Sequence, residues 1–129
     1  MGADQHRASQ QLADQYRGTV STSGSSARAA SILGGSGLIN NSGTLSTTGA
    51  GSTGAYLQGN NDQLINSGNI NVSGAGSFAV DSNTVSSSFT ATIQNLAGGQ
   101  IVGQNGTAIR TLNGNTTITN AGTIPEEEA

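Results

Sequence analysis

The side chains that could support catalysis are few in this chain of 129 residues. Between residues 18 and 124 the only carboxylates are Asp62 and Asp81, and they stand at different distances from the nearest repeat asparagine. A facing pair of acids, as glycoside hydrolysis requires, is therefore not expected. His6 is the only histidine, and the abundant Ser and Thr residues have no His/Asp set to activate a nucleophile. The sequence predicts no catalytic residues and a protein that is not an enzyme.

Patterns for metals and cofactors are equally weak. The chain has no cysteine, and neither Gly34-Gly35 nor Gly98-Gly99 is followed by the acid of a calcium-binding glycine-rich repeat. The glycines of residues 49–54 resemble a dinucleotide loop, but no strand–helix unit follows them. A net charge of −3 with four basic residues argues against nucleic acid, and no apolar run is long enough for a membrane helix. We expect no metal, no cofactor, no nucleic-acid partner and no membrane insertion of this segment.

An internal repeat of about 25 residues organises the chain. Its pattern is apolar-x-Asn-x-Gly-x-apolar, with asparagines separated by 25, 29 and 25 residues at Asn41, Asn66, Asn95 and Asn120. The accompanying turn glycines are Gly18, Gly43, Gly68, Gly98 and Gly122. This period predicts an all-β parallel β-helix, or β-solenoid, of about 4–5 coils over residues 18–124. The four extra residues of the third coil are expected in a loop within 80–90.

Each coil is predicted to hold three short strands, with Gly-rich corners where glycine supplies a positive φ. One strand follows the glycine, a second lies mid-coil, and the third precedes the asparagine. Alternation places the apolar residue of the third strand on the same side as the asparagine. The predicted core columns are Val20, Leu45, Ile70, Ile101 and Ile124 after the glycine, and Ile39, Leu64, Ile93 and Ile118 before the asparagine.

The four repeat asparagines are predicted to form a structural ladder. Stacked coils lie about 4.8 Å apart, and a side-chain amide both donates and accepts hydrogen bonds. Each asparagine can therefore bond its neighbours in the stack and the corner backbone. Aspartate would suit this position poorly because stacked carboxylates repel one another.

The mid-coil strand can be placed in either of two phases. Ala55–Leu57 favours its first and last residues inward, whereas Ile109 is favoured inward in the fourth coil because a buried unpaired Arg110 is implausible. Tyr56 and Phe78 are therefore either core residues or outward contacts for a glycan or a host surface protein.

Two terminal segments flank the coils. Within an N-terminal segment 1–17, residues 4–17 are predicted to form a capping helix over the first coil, and Gly18 suits its C-terminal stop. The apolar face of this helix would consist of Ala8, Leu12 and Tyr16. Residues 125–129 are predicted to be an acidic tail, in which proline and three glutamates discourage further stacking. Residues 1–7 lead into no apolar segment, so no secretory signal is predicted.

The repeat resembles the passenger region of bacterial autotransporters and related haemagglutinin-type surface proteins. Thr117–Ile124 fits their Thr-Ile-Thr-Asn-x-Gly-Thr-Ile unit closely, residues 39–45 and 64–70 fit it well, and the resemblance covers about residues 18–124. It implies a right-handed β-helix with three faces, located outside the cell or on the bacterial surface.

The function expected from this resemblance is a non-catalytic scaffold or stalk segment of a surface or secreted adhesin-type protein. One alternative is an adhesin module that binds a glycan or a host surface protein through Tyr56, Phe78 or the 81–90 loop. Others are an engineered or minimised capped solenoid, or a subunit that associates head-to-tail through the solenoid ends.

Overall fold

A computed structural model describes residues 14–125, and within this range the chain forms thirteen β-strands and no helix. The strands are β1 (Asp14–Tyr16), β2 (Thr19–Thr22), β3 (Arg28–Ile32), β4 (Leu38–Asn41), β5 (Thr44–Thr47), β6 (Thr53–Leu57), β7 (Asp62–Asn66), β8 (Asn69–Val72), β9 (Phe78–Asn83), β10 (Thr90–Asn95), β11 (Gln100–Gly103), β12 (Thr107–Leu112) and β13 (Asn115–Asn120).

The strands form three parallel sheets, and each strand pairs with the equivalent strand of the next coil. Sheet A has the order β1-β4-β7-β10-β13, sheet B the order β2-β5-β8-β11, and sheet C the order β3-β6-β9-β12. The chain passes through sheets B, C and A in turn before it returns to B. The predicted parallel β-solenoid with three strands per turn is therefore confirmed, with about four turns.

Aliphatic columns fill the interior, because apolar and polar residues alternate along the strands of sheets A and B. In sheet A the buried column consists of Ile39, Leu64 and Ile93. In sheet B it consists of Val20, Leu45, Ile70 and Ile101. Full burial of one such side chain stabilises the fold by about 1.5–3 kcal/mol. The core is thus a stack of like residues in register.

Sheet C departs from simple alternation, since two consecutive small residues lie inward in each of its first three strands. Ala29–Ala30 and Ala79–Val80 belong to the buried core, and a Cβ on Gly54 would meet the core side chain of Ile70 at 2.6 Å. With this irregularity Ala55, Val80 and Ile109 share one inward column. The residues that follow them then form an outward column, which resolves the phase of the mid-coil strand.

The predicted N-terminal capping helix is wrong for the residues that the structure describes. Residues 14–16 form strand β1, which pairs with β4 in the register Asp14–Ile39 and Tyr16–Asn41. The helix was predicted from the i, i+4, i+8 spacing of Ala8, Leu12 and Tyr16. This spacing does not distinguish a helix from a strand, because residues an even number apart also share one face of a strand. Parallel pairing with β4 bonds one side of the backbone of this segment. Ala8 and Leu12 lie outside the described residues, as does the acidic tail beyond Pro125.

The third coil absorbs its extra residues at corners, and the strands then return to register. Paired residue numbers differ by 25 between β6 and β9 but by 29 between β7 and β10, so the extra residues lie between Ser82 and Ala91, as predicted. A second irregularity was not predicted. Asn69 pairs with Gln100, a difference of 31, whereas Phe78 pairs with Thr107, a difference of 29. A longer corner at 96–99 is thus offset by a shorter turn at 103–107.

Candidate functional site

The repeat asparagines form a continuous hydrogen-bonded column along the corner between sheets A and B. Asn41 Nδ2 donates to Asn66 Oδ1 at 2.8 Å, Asn66 Nδ2 to Asn95 Oδ1 at 2.8 Å, and Asn95 Nδ2 to Asn120 Oδ1 at 2.9 Å. Asn41, Asn66 and Asn95 are at most 1 % exposed. Buried amides are stable only when they are bonded, and here each amide is bonded to the next coil.

Asn41, Asn66 and Asn95 each also bond to the backbone of two successive corners. Asn66 Nδ2 lies 3.1 Å from the carbonyl oxygen of Gly68 in its own corner and 3.1 Å from that of Gln100 in the next coil. Asn41 and Asn95 make the equivalent contacts. The column has a direction, because the Nδ2 of Asn41, Asn66 and Asn95 each donates to the asparagine on its C-terminal side.

The corner needs glycine because the backbones of neighbouring coils approach closely there, and not because the residue has a positive φ. A Cβ on Gly43, Gly68 or Gly122 would collide with the carbonyl oxygen of the glycine one coil below. None of these three has a positive φ. In the third coil the stacked glycine is Gly99, whereas the predicted Gly98 has φ +85° and no neighbour within 4 Å. The two inserted residues of this corner account for the displacement.

Two further buried polar groups hold corners together, and sequence reasoning missed their roles. Ser77 Oγ accepts from Ser52 N at 3.0 Å and donates to Gly49 O at 3.1 Å. Asp62, which is fully buried, accepts from Gly37 N at 2.9 Å and Gly59 N at 2.8 Å. The serines recur at the 25-residue period, so the repeat itself carried the signal. No repeat signal marks Asp62.

The outward face of sheet C carries a cluster of two arginines, two aromatic rings and one acid. Arg28 lies over the ring of Tyr56 at 3.7 Å from its centroid, and Arg110 over the ring of Phe78 at 3.9 Å. Arg110 also donates two hydrogen bonds to the carboxylate of Asp81, from Nε to Oδ1 at 3.1 Å and from Nη2 to Oδ2 at 2.8 Å. We refer to these five residues as the outer cluster.

Burial within the outer cluster is high for an outward surface. Tyr56 is 7 % exposed and Asp81 is 3 % exposed, whereas the Arg110 side chain keeps 35 % of its surface in solvent. The hydrogen bonds from Arg110 to Asp81 raise the pKa of the guanidinium, with burial opposing and the nearby negative charge adding to the rise. The arginine is therefore charged at every ordinary working pH, and it covers a ring that was a candidate binding contact.

The loop between Ser82 and Ala91 is anchored to the coils on either side of it. Asn113 Nδ2 donates to Thr84 O at 3.0 Å, and Asn115 N donates to Phe89 O at 2.9 Å. Thr90 Oγ1 donates to Asn61 Oδ1 at 2.8 Å on the other side. Its most prominent apolar residue, Val85, is 62 % exposed.

The last described coil is less buried than the coils before it. Ile118 continues the column of Ile39, Leu64 and Ile93, yet it is 43 % exposed whereas those three are fully buried. Asn120 accepts from Asn95 and from Gly122 N, and among residues 14–125 no further asparagine follows for it to donate to. Ile109 and Ile124 are only partly buried against the core.

The two carboxylates considered for catalysis lie apart. Asp62 is inside the solenoid at the start of a sheet A strand, whereas Asp81 is outward on sheet C and bound to Arg110. His6 lies outside the described residues. Within residues 14–125 no group of three or more His, Cys, Asp or Glu side chains could hold a metal ion, and no helix could span a membrane.

Comparison with protein-family models, curated proteins and solved structures finds no match to this chain.

Proposed function

We propose that this chain is a non-catalytic scaffold or stalk segment of a bacterial surface or secreted protein, and that its coils wind right-handed. The asparagine ladder carries the proposal. It joins all four coils through amide hydrogen bonds of 2.8–2.9 Å, so each coil adds a fixed length and is bonded to the next one. An element with these properties sets the distance between whatever lies at its two ends.

The handedness and the surface location rest on the resemblance of the Thr117–Ile124 unit to autotransporter passengers. Parallel strands joined within one sheet also strongly favour right-handed connections. The solenoid fold is compatible with this family assignment and with others.

The outer cluster supports a scaffold over a carbohydrate-binding adhesin. A sugar ring stacks on an aromatic face that is open to solvent, and the rings of Tyr56 and Phe78 are each covered by a guanidinium group. These contacts stiffen the face of sheet C and remove the aromatic surface that recognition of a neutral glycan requires.

A length experiment tests the proposal. Four tandem copies of residues 44–68 inserted after residue 68 should lengthen the particle by about 19 Å, at about 4.8 Å per coil, as measured by small-angle X-ray scattering. A Gly/Ser insert of equal length at the same point should behave as a flexible chain and give no rigid extension. Equal behaviour of the two inserts would contradict a stalk.

Binding is tested on the same material. A glycan array and a panel of host surface proteins should show no saturable binding to the wild-type chain. A saturable ligand whose binding is lost in Arg28→Ala but kept in the length variants would overturn the proposal in favour of an adhesin.

A further inference from the structure

We propose that Asn105 is a site of spontaneous deamidation in the folded chain, and that Asn113 is protected from the same reaction by its backbone conformation. The proposal is independent of the stalk function. The chain contains two Asn-Gly dipeptides, Asn105-Gly106 and Asn113-Gly114, and they lie on either side of β12 in the fourth coil. Asparagine is a thermolabile residue, and a following glycine has no Cβ to obstruct ring closure.

The reaction needs only the chain and water. The main-chain nitrogen of Gly106 attacks Cγ of Asn105, so that the N–Cγ bond forms and the Cγ–Nδ2 bond breaks. Nδ2 leaves as ammonia, with the proton that the main-chain nitrogen gives up. Water then opens the cyclic imide, either at Cγ to give aspartate or at the main-chain carbonyl to give isoaspartate, in which the main chain passes through Cγ. In both products an uncharged amide has become a carboxylate.

The two asparagines have similar surroundings. Both are exposed, and each side-chain amide donates to a main-chain carbonyl of the third coil. Asn105 Nδ2 bonds to Ser73 O at 2.9 Å, and Asn113 Nδ2 bonds to Thr84 O at 3.0 Å. Access to water and the hydrogen bond that holds the amide therefore do not distinguish the two sites.

The exposure of Asn105 is a property of its corner. The carbonyl of Asn105 accepts a hydrogen bond from Gly76 N at 3.1 Å. One coil below, the carbonyl of Ala75 accepts the equivalent bond from Gly51 N at 2.9 Å. Ala75 is exposed although the fourth coil stacks on its corner. A residue at this position is therefore open to water inside the stack as well.

The backbone conformation distinguishes the two asparagines. Asn113 has φ +58° and Gly114 has φ +50°, whereas Asn105 is not among the described residues with positive φ. In the left-handed region, with φ about +57° and ψ about +47°, the next main-chain nitrogen lies nearly opposite Cβ across the Cα–C bond. The nitrogen of Gly114 therefore reaches Cγ of Asn113 only after a large rotation about this bond. That obstacle is absent at Asn105.

Deamidation of Asn105 would release the turn between β11 and β12. The Nδ2 donor to Ser73 O is lost, and a carboxylate is repelled by the carbonyl oxygen beside it. Isoaspartate would also add a methylene to the main chain of a turn, 104–106, that is shorter than the equivalent turn 73–77 one coil below. Asn105→Asp should therefore unfold at a lower urea concentration than wild type. Gln104→Glu is the matched control, because it adds the same charge at an exposed neighbouring position and should have no such effect.

The main test measures deamidation of the intact chain by peptide mapping and mass spectrometry after incubation at mildly alkaline pH. Trypsin cleaves after Arg110, which places the two asparagines in different peptides. In the folded chain Asn105 should convert about tenfold faster than Asn113 or more, which corresponds to a barrier difference of about 1.4 kcal/mol. In urea, where the left-handed turn is lost, the two rates should become similar.

Equal rates in the folded chain would overturn the proposal, because the left-handed turn would then give no protection. So would an Asn105 that converts only after unfolding. A preference for Asn105 that persists in urea would assign the difference to the local sequence and not to the fold. An unchanged urea midpoint in Asn105→Asp, or an equal loss in Gln104→Glu, would contradict the release of the turn.

Discussion

The interior of this solenoid is stabilised by stacks of like residues, whereas its outer surface is stabilised by contacts between different residue types. Inside, one residue type recurs at each level, as in the ladder from Asn41 to Asn120. Outside, the outer cluster joins five residues of which only Arg occurs twice, and it extends from Arg28 in the first coil to Arg110 in the fourth. A ladder of identical residues would fit equally well if the stack slipped by one coil. The contacts of the outer cluster would be lost in such a slip, so they favour the native register over a slipped one.

The largest loss of stability is expected when a side chain is added where the backbones of two coils approach closely. Gly68→Ala would push a methyl group into the carbonyl oxygen of Gly43, and we expect a loss of about 4 kcal/mol or more in the free energy of unfolding. Gly18→Ala is the matched control, because it stands in the same column with nothing within 4 Å. Urea denaturation monitored by circular dichroism gives both values, and equal losses would show that close approach is not the reason for glycine.

The next largest loss of stability is expected in the middle of the asparagine ladder, and a smaller loss is expected at its end. Asn66→Ala removes hydrogen bonds to two neighbouring asparagines and two corner carbonyls, which should cost about 3 kcal/mol. Asn120→Ala removes fewer bonds at an exposed site, so about 1 kcal/mol is expected. If urea denaturation gave the two variants the same stability, the ladder would not act through stacking.

The outer cluster should contribute less than the ladder. Arg110→Ala leaves the carboxylate of Asp81, whose side chain is 4 % exposed, without its partner and uncovers Phe78. About 2 kcal/mol is expected, below the value for a fully buried pair because Arg110 is partly solvated. Arg28→Ala loses only its contact with the Tyr56 ring, about 0.5 kcal/mol. Urea denaturation measures both, and equal losses would mean that the acid contributes nothing.

The pH dependence of the Arg110→Ala effect has a defined sign. Because the pKa of Arg110 is raised in the folded state, its contribution to stability is fully present below the usual guanidinium range and is lost only as pH rises through the raised value. The difference in free energy of unfolding between wild type and Arg110→Ala should therefore stay constant from neutral pH to about pH 10. A decline within that interval would show that another titrating group controls the cluster.

The last comparison sets a gain in stability against a loss and concerns two hydroxyl-bearing interior positions. Thr47 is fully buried, its Oγ1 has no partner, and Val72 stands above it in the same column. Thr47→Val should raise stability by about 1 kcal/mol by removing an unbonded hydroxyl of similar shape. Ser77→Ala should lower it by a similar amount, since Ser77 Oγ bonds to Ser52 and Gly49. A shift of both thermal unfolding midpoints in one direction would contradict this distinction.

The repeat made the interior predictable, because the same short motif had to satisfy the same surroundings at each level. Ile39, Asn41 and Leu45 could be assigned inward from pattern alone. The outer cluster could not be predicted, since Arg28 and Tyr56 are 28 residues apart and no period links them. The helix prediction is wrong at Asp14–Tyr16 because Ala8, Leu12 and Tyr16, spaced by four, fit the period of a helix and that of a strand. The prediction of Gly98 as the stacked glycine is wrong, since Gly99 takes that place, and a two-residue insertion cannot be detected until the next strand is paired.

The corners of the third coil have a consequence for how such a chain can change over time. Inserted residues at 83–90 and 96–99 leave the paired strands on either side in register. A length error at a corner is therefore local and does not accumulate along the stack. These two corners accept inserted residues while the strands keep their pairing, so new surface features can arise at a corner without a new fold. The same tolerance makes 84–89 a practical site for grafting a foreign peptide.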